Sequence, residues 1–161
     1  GRFSLEAIAS LKTKFEQQVG TGGAKFDVLG TTGFNTTFPS IELESRMGVT
    51  WDSHFGLSAN VFWNHTGEYK NWSGNTVTPI TRNAAGVPTG GGDTVKAGNF
   101  FDAHLSYDLP GEGITKDLEL FADVNNVFDK DPPFYNSANG YDTFSGNPLG
   151  RQITVGFSKK W

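Results

Sequence analysis

Histidines are the first side chains in this sequence that could bind a metal or transfer a proton. His54, His65 and His104 fall on three different predicted elements, and none has a second ligand at the short spacing of a zinc site. Cysteine is absent, and the residue spacing supports no Ser-His-Asp set and no pair of catalytic carboxylates. The sequence therefore predicts neither a catalytic centre nor a zinc site, and we do not expect an enzyme.

Acidic residues form a second group with ligand chemistry. Asp129, Asp131 and Asp142 lie in one polar segment and could offer calcium the several oxygen ligands that it takes, although acids spaced in this way are more commonly solvated. The glycines at 90–92 are not followed by the Lys-Ser or Lys-Thr pair of a phosphate-binding loop. We therefore expect no metal and no cofactor.

Aromatic residues in or beside the predicted long loops form the third group. Their rings can stack on a sugar ring or flank another bound solute, or they can pack the loops on one another and on the sheet. The residues predicted to contact a ligand are Tyr69, Trp72, Phe134, Tyr135, Tyr141 and Phe144.

Six segments of alternating apolar and polar residues must position these side chains, and such alternation predicts strands with two different faces. In the segment 118–124, for example, Glu119 and Asp123 stand between apolar residues. Phe62 is the one aromatic residue on the polar parity of its segment. The segments run about 11 to 15 residues, whereas soluble strands average about 5 or 6 and a tilted strand crosses a bilayer in about 9 to 11.

The connections between these segments alternate in length. They take about 22 residues, a tight turn near 52–54, about 28 residues, the short stretch 110–116, and about 20 residues. This order predicts a meander of antiparallel strands with all long loops at one end. The long loops are rich in Gly, Asn, Thr and Pro, which indicates that they are exposed.

Composition separates the remaining classes of protein. The 161 residues include 21 Gly and 14 Phe but only 1 Met, a balance that favours sheet and loop over helix. A net charge of −4 without a basic block gives no electrostatic reason to expect nucleic acid as a partner. No apolar run approaches the ~20 residues of a transmembrane helix. Gly1 in place of Met, without a signal-peptide pattern, indicates an internal position of a longer, processed or split protein.

A transmembrane antiparallel β-barrel fits this pattern better than half of a soluble β-sandwich. Large rings lie near the ends of the apolar faces, where membrane barrels carry aromatic girdles, and the mixed polar faces suit a wet lumen. Six strands do not close such a barrel, because the smallest examples need about 8. The remaining strands are therefore expected from elsewhere.

Three runs resemble the C-terminal end of TonB-dependent outer-membrane receptors: "FFDAHLSYDL" (100–109), "LELFADVNNVFDKDPP" (118–133) and "GYDTFSGNPLGRQITVGFSKKW" (140–161). The resemblance covers essentially the whole chain and is loose in the loops. It implies that residues 1–161 are the last six strands of a barrel of about 22 strands with a plugged lumen. The plug domain, the TonB-engaging segment and the earlier strands are absent from these residues.

The resemblance also implies a location and partners. The protein would be an integral protein of the bacterial outer membrane, in contact with lipid and lipopolysaccharide, with the plug and remaining strands of the same receptor, and with TonB through the missing region. The last strand carries the residues that would signal to the outer-membrane assembly machinery: Ile153, Val155, Phe157 and Trp161. Lys159 departs from their alternation and is expected to reach the periplasmic headgroups.

The function implied is active uptake of a scarce solute with TonB-derived energy. A ferric siderophore is the commonest family substrate, and a vitamin or an oligosaccharide is an alternative. The loops at about 17–38, 70–98 and 130–149 would be extracellular and would supply the binding residues. A passive porin-type channel and a structural or adhesive β-sheet protein remain as alternatives from other classes.

Asn126 interrupts the apolar parity of the fifth segment, beside Asn125. A polar side chain at such a position needs hydrogen-bond partners. We predict that Asn126 binds nearby backbone at a bulge or turn where the strand ends, before Pro132 and Pro133 prevent its continuation.

Overall fold

The computed structural model describes residues 1–18, 20–32, 38–74 and 76–160. Trp161, the last of the predicted assembly residues, lies outside the described residues. Within them the chain is all-β, with one 3-10 helix at Gly113–Thr115 and no α-helix. No described helix is long and apolar enough to cross a membrane.

The strands differ sharply in length. In chain order the strands are β1 Arg2–Leu11, β2 Glu16–Gln18, β3 Lys25–Asp27, β4 Thr31–Thr32, β5 Leu43–Asp52, β6 Leu57–Thr66, β7 Tyr69–Asn71, β8 Thr81–Arg82, β9 Pro88–Gly90, β10 Asp93–Val95, β11 Gly98–Asp108, β12 Leu118–Asn125 and β13 Gln152–Lys159. Six strands are long, and the short strands of two or three residues lie in two of the connections, between β1 and β5 and between β6 and β11.

The six long strands form one antiparallel sheet in the order β1-β5-β6-β11-β12-β13, which we call the main sheet. Each long strand pairs with the next long strand along the chain, so the predicted antiparallel meander is confirmed. The predicted tight turn is also present, since Ser53 N donates to Leu57 O at 2.7 Å. β1 and β13 each pair on one side only, so the described sheet is open and no closed barrel is formed.

The predicted strand length of 11 to 15 residues is wrong for most of the main sheet, whose strands contain 8 to 11 residues. The apolar parity continues past the true strand ends. Phe15 lies beyond the end of β1, and Tyr69 belongs to the separate strand β7. The chain leaves the main sheet at Gly67, whose N–H donates to Leu43 O at 2.8 Å.

Register places residues of like polarity side by side across all six strands. One row begins at Leu5 beside Val49 and ends at Val124 beside Ile153. This apolar row is Leu5, Val49, Val61, Ala103, Val124 and Ile153. The side of the sheet that carries it is the apolar face. Its side chains are strongly exposed on the edge strands, with 82% for Leu5 and 75% for Val155, and about half exposed in the middle, with 48% for Val61.

The opposite side of the main sheet is the polar face. The row directly beside the apolar row carries only polar residues: Ser4, Thr50, Asn60, His104, Asp123 and Thr154. The segregation of the two faces follows from the two-residue period of a strand, and the pairing register preserves it across the sheet.

The hydrophobic core lies outside most of the main sheet. The long connections 12–42, 67–97 and 126–151, in their described parts, form what we call the loop region. It contains a three-stranded sheet in the order β10-β7-β4, with β4 parallel to β7, and the hairpins β2-β3 and β8-β9. Its buried residues form two clusters: Phe26, Val28 and Trp72 in one, and Ile41, Tyr69 and Val95 in the other.

Candidate functional site

Two of the six predicted ligand-contacting residues are part of the core of the loop region. Tyr69 is 3% exposed and packs with Ile41 and Val95, and Trp72 is 8% exposed. The indole N–H of Trp72 donates to Gly91 O at 3.0 Å. These two rings therefore stabilise the loops and present little surface to a ligand. This is the second of the two roles given above for the loop aromatics, packing of the loops on one another.

The other four predicted residues are more accessible but do not converge. Phe134 is 69% exposed. Phe144 is also exposed and meets Phe38 edge-to-face, with ring centroids 5.7 Å apart, while Tyr135 packs against the buried Tyr69 at 6.4 Å. The structure does not assemble the six rings into one site, and their role in binding stays a prediction. Tyr141, the last of these four residues, is partly exposed.

Polar side chains connect two of the long loops. Asp93 accepts hydrogen bonds from the Asn136 amide at 2.9 Å and from the backbone N–H groups of Val77 and Thr78 at 2.9 and 2.8 Å. These donors, the Asn136 amide foremost, lower the pKa of Asp93 from 3.8 to about 2. Asn71 adds a second connection, since its amide donates to Asn136 O at 3.2 Å.

Asp142 is buried and bonded within the loop region. Its carboxylate accepts from Phe144 N at 3.0 Å and from the Ser145 hydroxyl. Tyr69 also bonds to it, and burial foremost, with the Asp142 charge and this bond, raises the pKa of the Tyr69 phenol. No group of three or more His or acidic residues that could hold a metal ion occurs among the described residues.

Asn126 behaves as predicted. It follows the last residue of β12 at φ 54°, a left-handed conformation that asparagine tolerates better than most residues. Its side chain donates to Lys130 O at 2.9 Å and accepts from Lys130 N at 3.0 Å. The prediction that this buried amide binds backbone at a turn is therefore confirmed.

A hydrogen-bonded chain crosses the polar face near the loop region. Arg46 donates to Asn64 at 3.0 Å, and Asn64 donates to Asp102 at 2.7 Å. Asp102 also accepts from the backbone N–H of Asn126 at 2.9 Å. These hydrogen bonds connect polar side chains of β5, β6 and β11 to the backbone at the end of β12.

Two aromatic residues on the polar face cover glycines of the neighbouring strand. Phe62 lies opposite Gly48, and Phe121 opposite Gly156. A Cβ at Gly48 or Gly156 would lie 2.7 or 2.4 Å from the facing ring. The position of Phe62 on the polar parity is therefore explained by packing. Its ring occupies the space that Gly48 leaves free, and the Arg46 guanidinium lies 4.0 Å from the ring centroid.

A cavity that sequence reasoning did not identify lies where the polar face meets the loop region. It has a volume of about 310 Å³ and is lined mainly by amide, hydroxyl and glycine residues of β6, β11, β12, β13 and the connection 126–151. Asn64, Asp102 and Gln152 stand on the polar parity of their segments in the sequence. Only the register and the path of the last loop bring them together.

No family profile, curated protein or solved structure matches the chain. The geometry of the two faces and the sequence resemblance are therefore the observations that bear on function.

Proposed function

We propose that this chain is part of the wall of an outer-membrane β-barrel, belonging to a TonB-dependent receptor that takes up a scarce solute. The observation that carries the proposal is the apolar face, which runs across six strands without interruption in its central row and has no covering layer among the described residues. An exposed apolar area of this extent indicates an interaction with lipid or protein.

Lipid is the environment that fits the whole sheet best. The apolar row and the adjacent polar row are segregated as in a barrel wall, with one face toward hydrocarbon and the other toward a wet interior. Strands of 8 to 11 residues are close to the about 9 to 11 needed to cross a bilayer. The unpaired edges of β1 and β13 call for further strands, since open edges are not tolerated in lipid.

The sequence resemblance supports the receptor class within the barrel proteins. The turn at Asn126 lies within the resembling run 118–133, and Ile153, Val155 and Phe157 lie exposed on the apolar face of β13, as expected for an assembly signal. In this proposal the missing strands, the plug, TonB and the assembly machinery are the partners. The receptor imports a ferric siderophore, a vitamin or an oligosaccharide and performs no catalysis.

The coding sequence upstream of residue 1 and the energy dependence of uptake test the proposal. We expect a plug domain followed by further segments of strand alternation, and solute uptake that a protonophore abolishes. Uptake that continues without the proton gradient would favour a passive porin-type channel. An upstream sequence without barrel strands would favour a structural or adhesive sheet.

A further inference from the structure

The last long connection contains the only Asn-Gly pair of the sequence, Asn139 followed by Gly140. Asparagine is a thermolabile residue, because the backbone nitrogen of the next residue can attack its side-chain carbonyl carbon. A following glycine favours this attack, since it has no Cβ to keep the two groups apart. The pair therefore has the residue types for deamidation, and the structure determines whether the two groups are free to react.

The loop that carries the pair is closed at its base and open at its tip. Asp142 N donates to Pro133 O at 2.9 Å and closes the segment 133–142. Asn139 lies in an exposed turn at the tip. A Cβ placed on Gly140 would have no atom within 4 Å apart from its chain neighbours. Water therefore reaches the pair, and no packed side chain restrains its backbone.

The two groups that would react are weakly held. The Asn139 side chain makes no hydrogen bond among the described residues. The N–H of Gly140, which carries the attacking nitrogen, donates only to Ser137 O at 3.2 Å, at the long end of the usual range. An exposed turn with one long hydrogen bond opens by local fluctuation more readily than a strand does, and each opening frees the nitrogen.

Other loop asparagines are held in place. The Asn136 side chain, three residues earlier in the same loop, donates to Asp93 at 2.9 Å, and its backbone oxygen accepts from the Asn71 amide at 3.2 Å. The side-chain oxygen of Asn83 accepts from two backbone N–H groups at 3.0 Å. Both asparagines are also followed by a residue with a Cβ. Sequence and structure thus distinguish Asn139 from the other two.

We propose that Asn139 is a modification site at which the native protein deamidates through a succinimide. The Gly140 nitrogen bonds to the Asn139 Cγ, the Cγ–NH₂ bond breaks, and ammonia leaves with the proton that the backbone nitrogen has lost. Water then opens the ring at one of its two carbonyl carbons, which gives either aspartate or isoaspartate. Both products make the net charge of −4 more negative by one. The inference does not depend on the proposed function.

Isoaspartate changes the loop as well as its charge. In this product the main chain runs through the former side chain and gains one backbone atom inside the segment closed by Pro133 and Asp142. We expect the longer segment to weaken the bond between Asp142 N and Pro133 O. Asp142 is also bonded to Ser145 and to Phe144 N, so the change would extend from the exposed tip to a buried carboxylate.

Peptide mapping of the complete protein in detergent, during incubation at mildly alkaline pH, tests the inference. Mass spectrometry with electron-transfer fragmentation locates each deamidated residue and distinguishes isoaspartate from aspartate. We expect Asn139 to react at least about tenfold faster than Asn136, with isoaspartate among the products. Ser137→Gly is the matched control, because it gives Asn136 the same following residue as Asn139 and leaves its bond to Asp93. Asn136 of this variant should stay slower than Asn139 in the folded protein and react at a similar rate in urea.

Three results would overturn the inference. In folded protein these are an Asn139 that reacts no faster than Asn136, an Asn136 as fast as Asn139 in the Ser137→Gly variant, and deamidation without isoaspartate. Asn139→Asp carries the new charge without the extra backbone atom and tests the effect on the loop. Amide exchange at Asp142 should accelerate in the isoaspartate form and not in Asn139→Asp, and equal exchange in the two forms would contradict that effect.

Discussion

The main sheet exposes the apolar side chains of one of its faces, whereas the loop region buries apolar side chains in a core of its own. The main sheet holds its strands by continuous backbone pairing and leaves side chains such as Leu5 and Val155 open. The loop region has only short strands, yet it buries Val28 and Val95 almost completely. Burial of apolar side chains stabilises a region in water, whereas an exposed apolar face is stabilised by contact with lipid or protein. In the proposed barrel wall, the apolar face of the main sheet would therefore contact lipid, and the loop region would lie in water.

The largest effect is expected from removing a core side chain of the loop region. Trp72→Ala deletes a buried ring and its bond to Gly91, and such truncations cost about 3–5 kcal/mol. Amide exchange at Lys70, whose N–H donates to Gly30 O, should accelerate accordingly, while amides of the main sheet stay protected. Phe134→Ala, at an exposed ring, is the control and should cost less than about 0.5 kcal/mol. Faster exchange in both regions would mean that they unfold as one unit.

An arginine placed on either face of the main sheet tests whether the two faces have different surroundings. Val61→Arg places a guanidinium on the apolar face and should destabilise the protein in lipid vesicles by about 2–4 kcal/mol if it lies near the bilayer midplane. Asn60→Arg, on the neighbouring residue, faces the polar side and should have a much smaller effect. Denaturant unfolding in vesicles measures both. Equal losses would contradict a lipid-facing side.

The turn at Asn126 connects the two regions. Two variants at this position distinguish the contribution of the side-chain hydrogen bonds from that of the backbone conformation. Asn126→Ala removes both hydrogen bonds to Lys130 and places a less suitable residue at positive φ, which we expect to cost about 1–3 kcal/mol. Asn126→Gly loses the same bonds but keeps the backbone conformation accessible. Thermal unfolding should rank the parent first, Gly second and Ala last. An Ala variant as stable as Gly would show that the backbone conformation contributes little.

The smallest effect is expected from acid, and in the loop region it acts through Asp93. The pKa of Asp93 is lowered from 3.8 to about 2, so its stabilisation is complete above about pH 4 and is lost as the pH falls toward 2. Amide chemical shifts of Val77 and Thr78 should follow this titration, and Asp93→Asn should abolish the response. A shift midpoint near 3.8 would contradict the bonded arrangement.

Sequence alternation was sufficient to predict the six-stranded meander and its two faces, because both depend on the two-residue period of each strand. It extended the first and third strands too far, to Phe15 and Tyr69. The apolar alternation continues beyond the point where backbone pairing in the main sheet ends. The burial of Tyr69 and Trp72 and the cavity beside Phe100 were not predictable, because they depend on contacts between residues far apart in the chain. The turn at Asn126 was predictable, since a polar residue on an apolar parity requires a local partner.

The bonds of Asn136 to Asp93 and to Asn71 have a consequence for the diversification of this protein. Two surface loops that share buried contacts and hydrogen bonds do not accept sequence changes independently. A loop transplanted alone from another protein would lack the residues of the other loop that it contacts, whereas the connections 67–97 and 126–151 transplanted together would keep their shared hydrogen bonds. Substitutions at the contacts in one of these two loops should therefore be accompanied by compensating substitutions in the other loop.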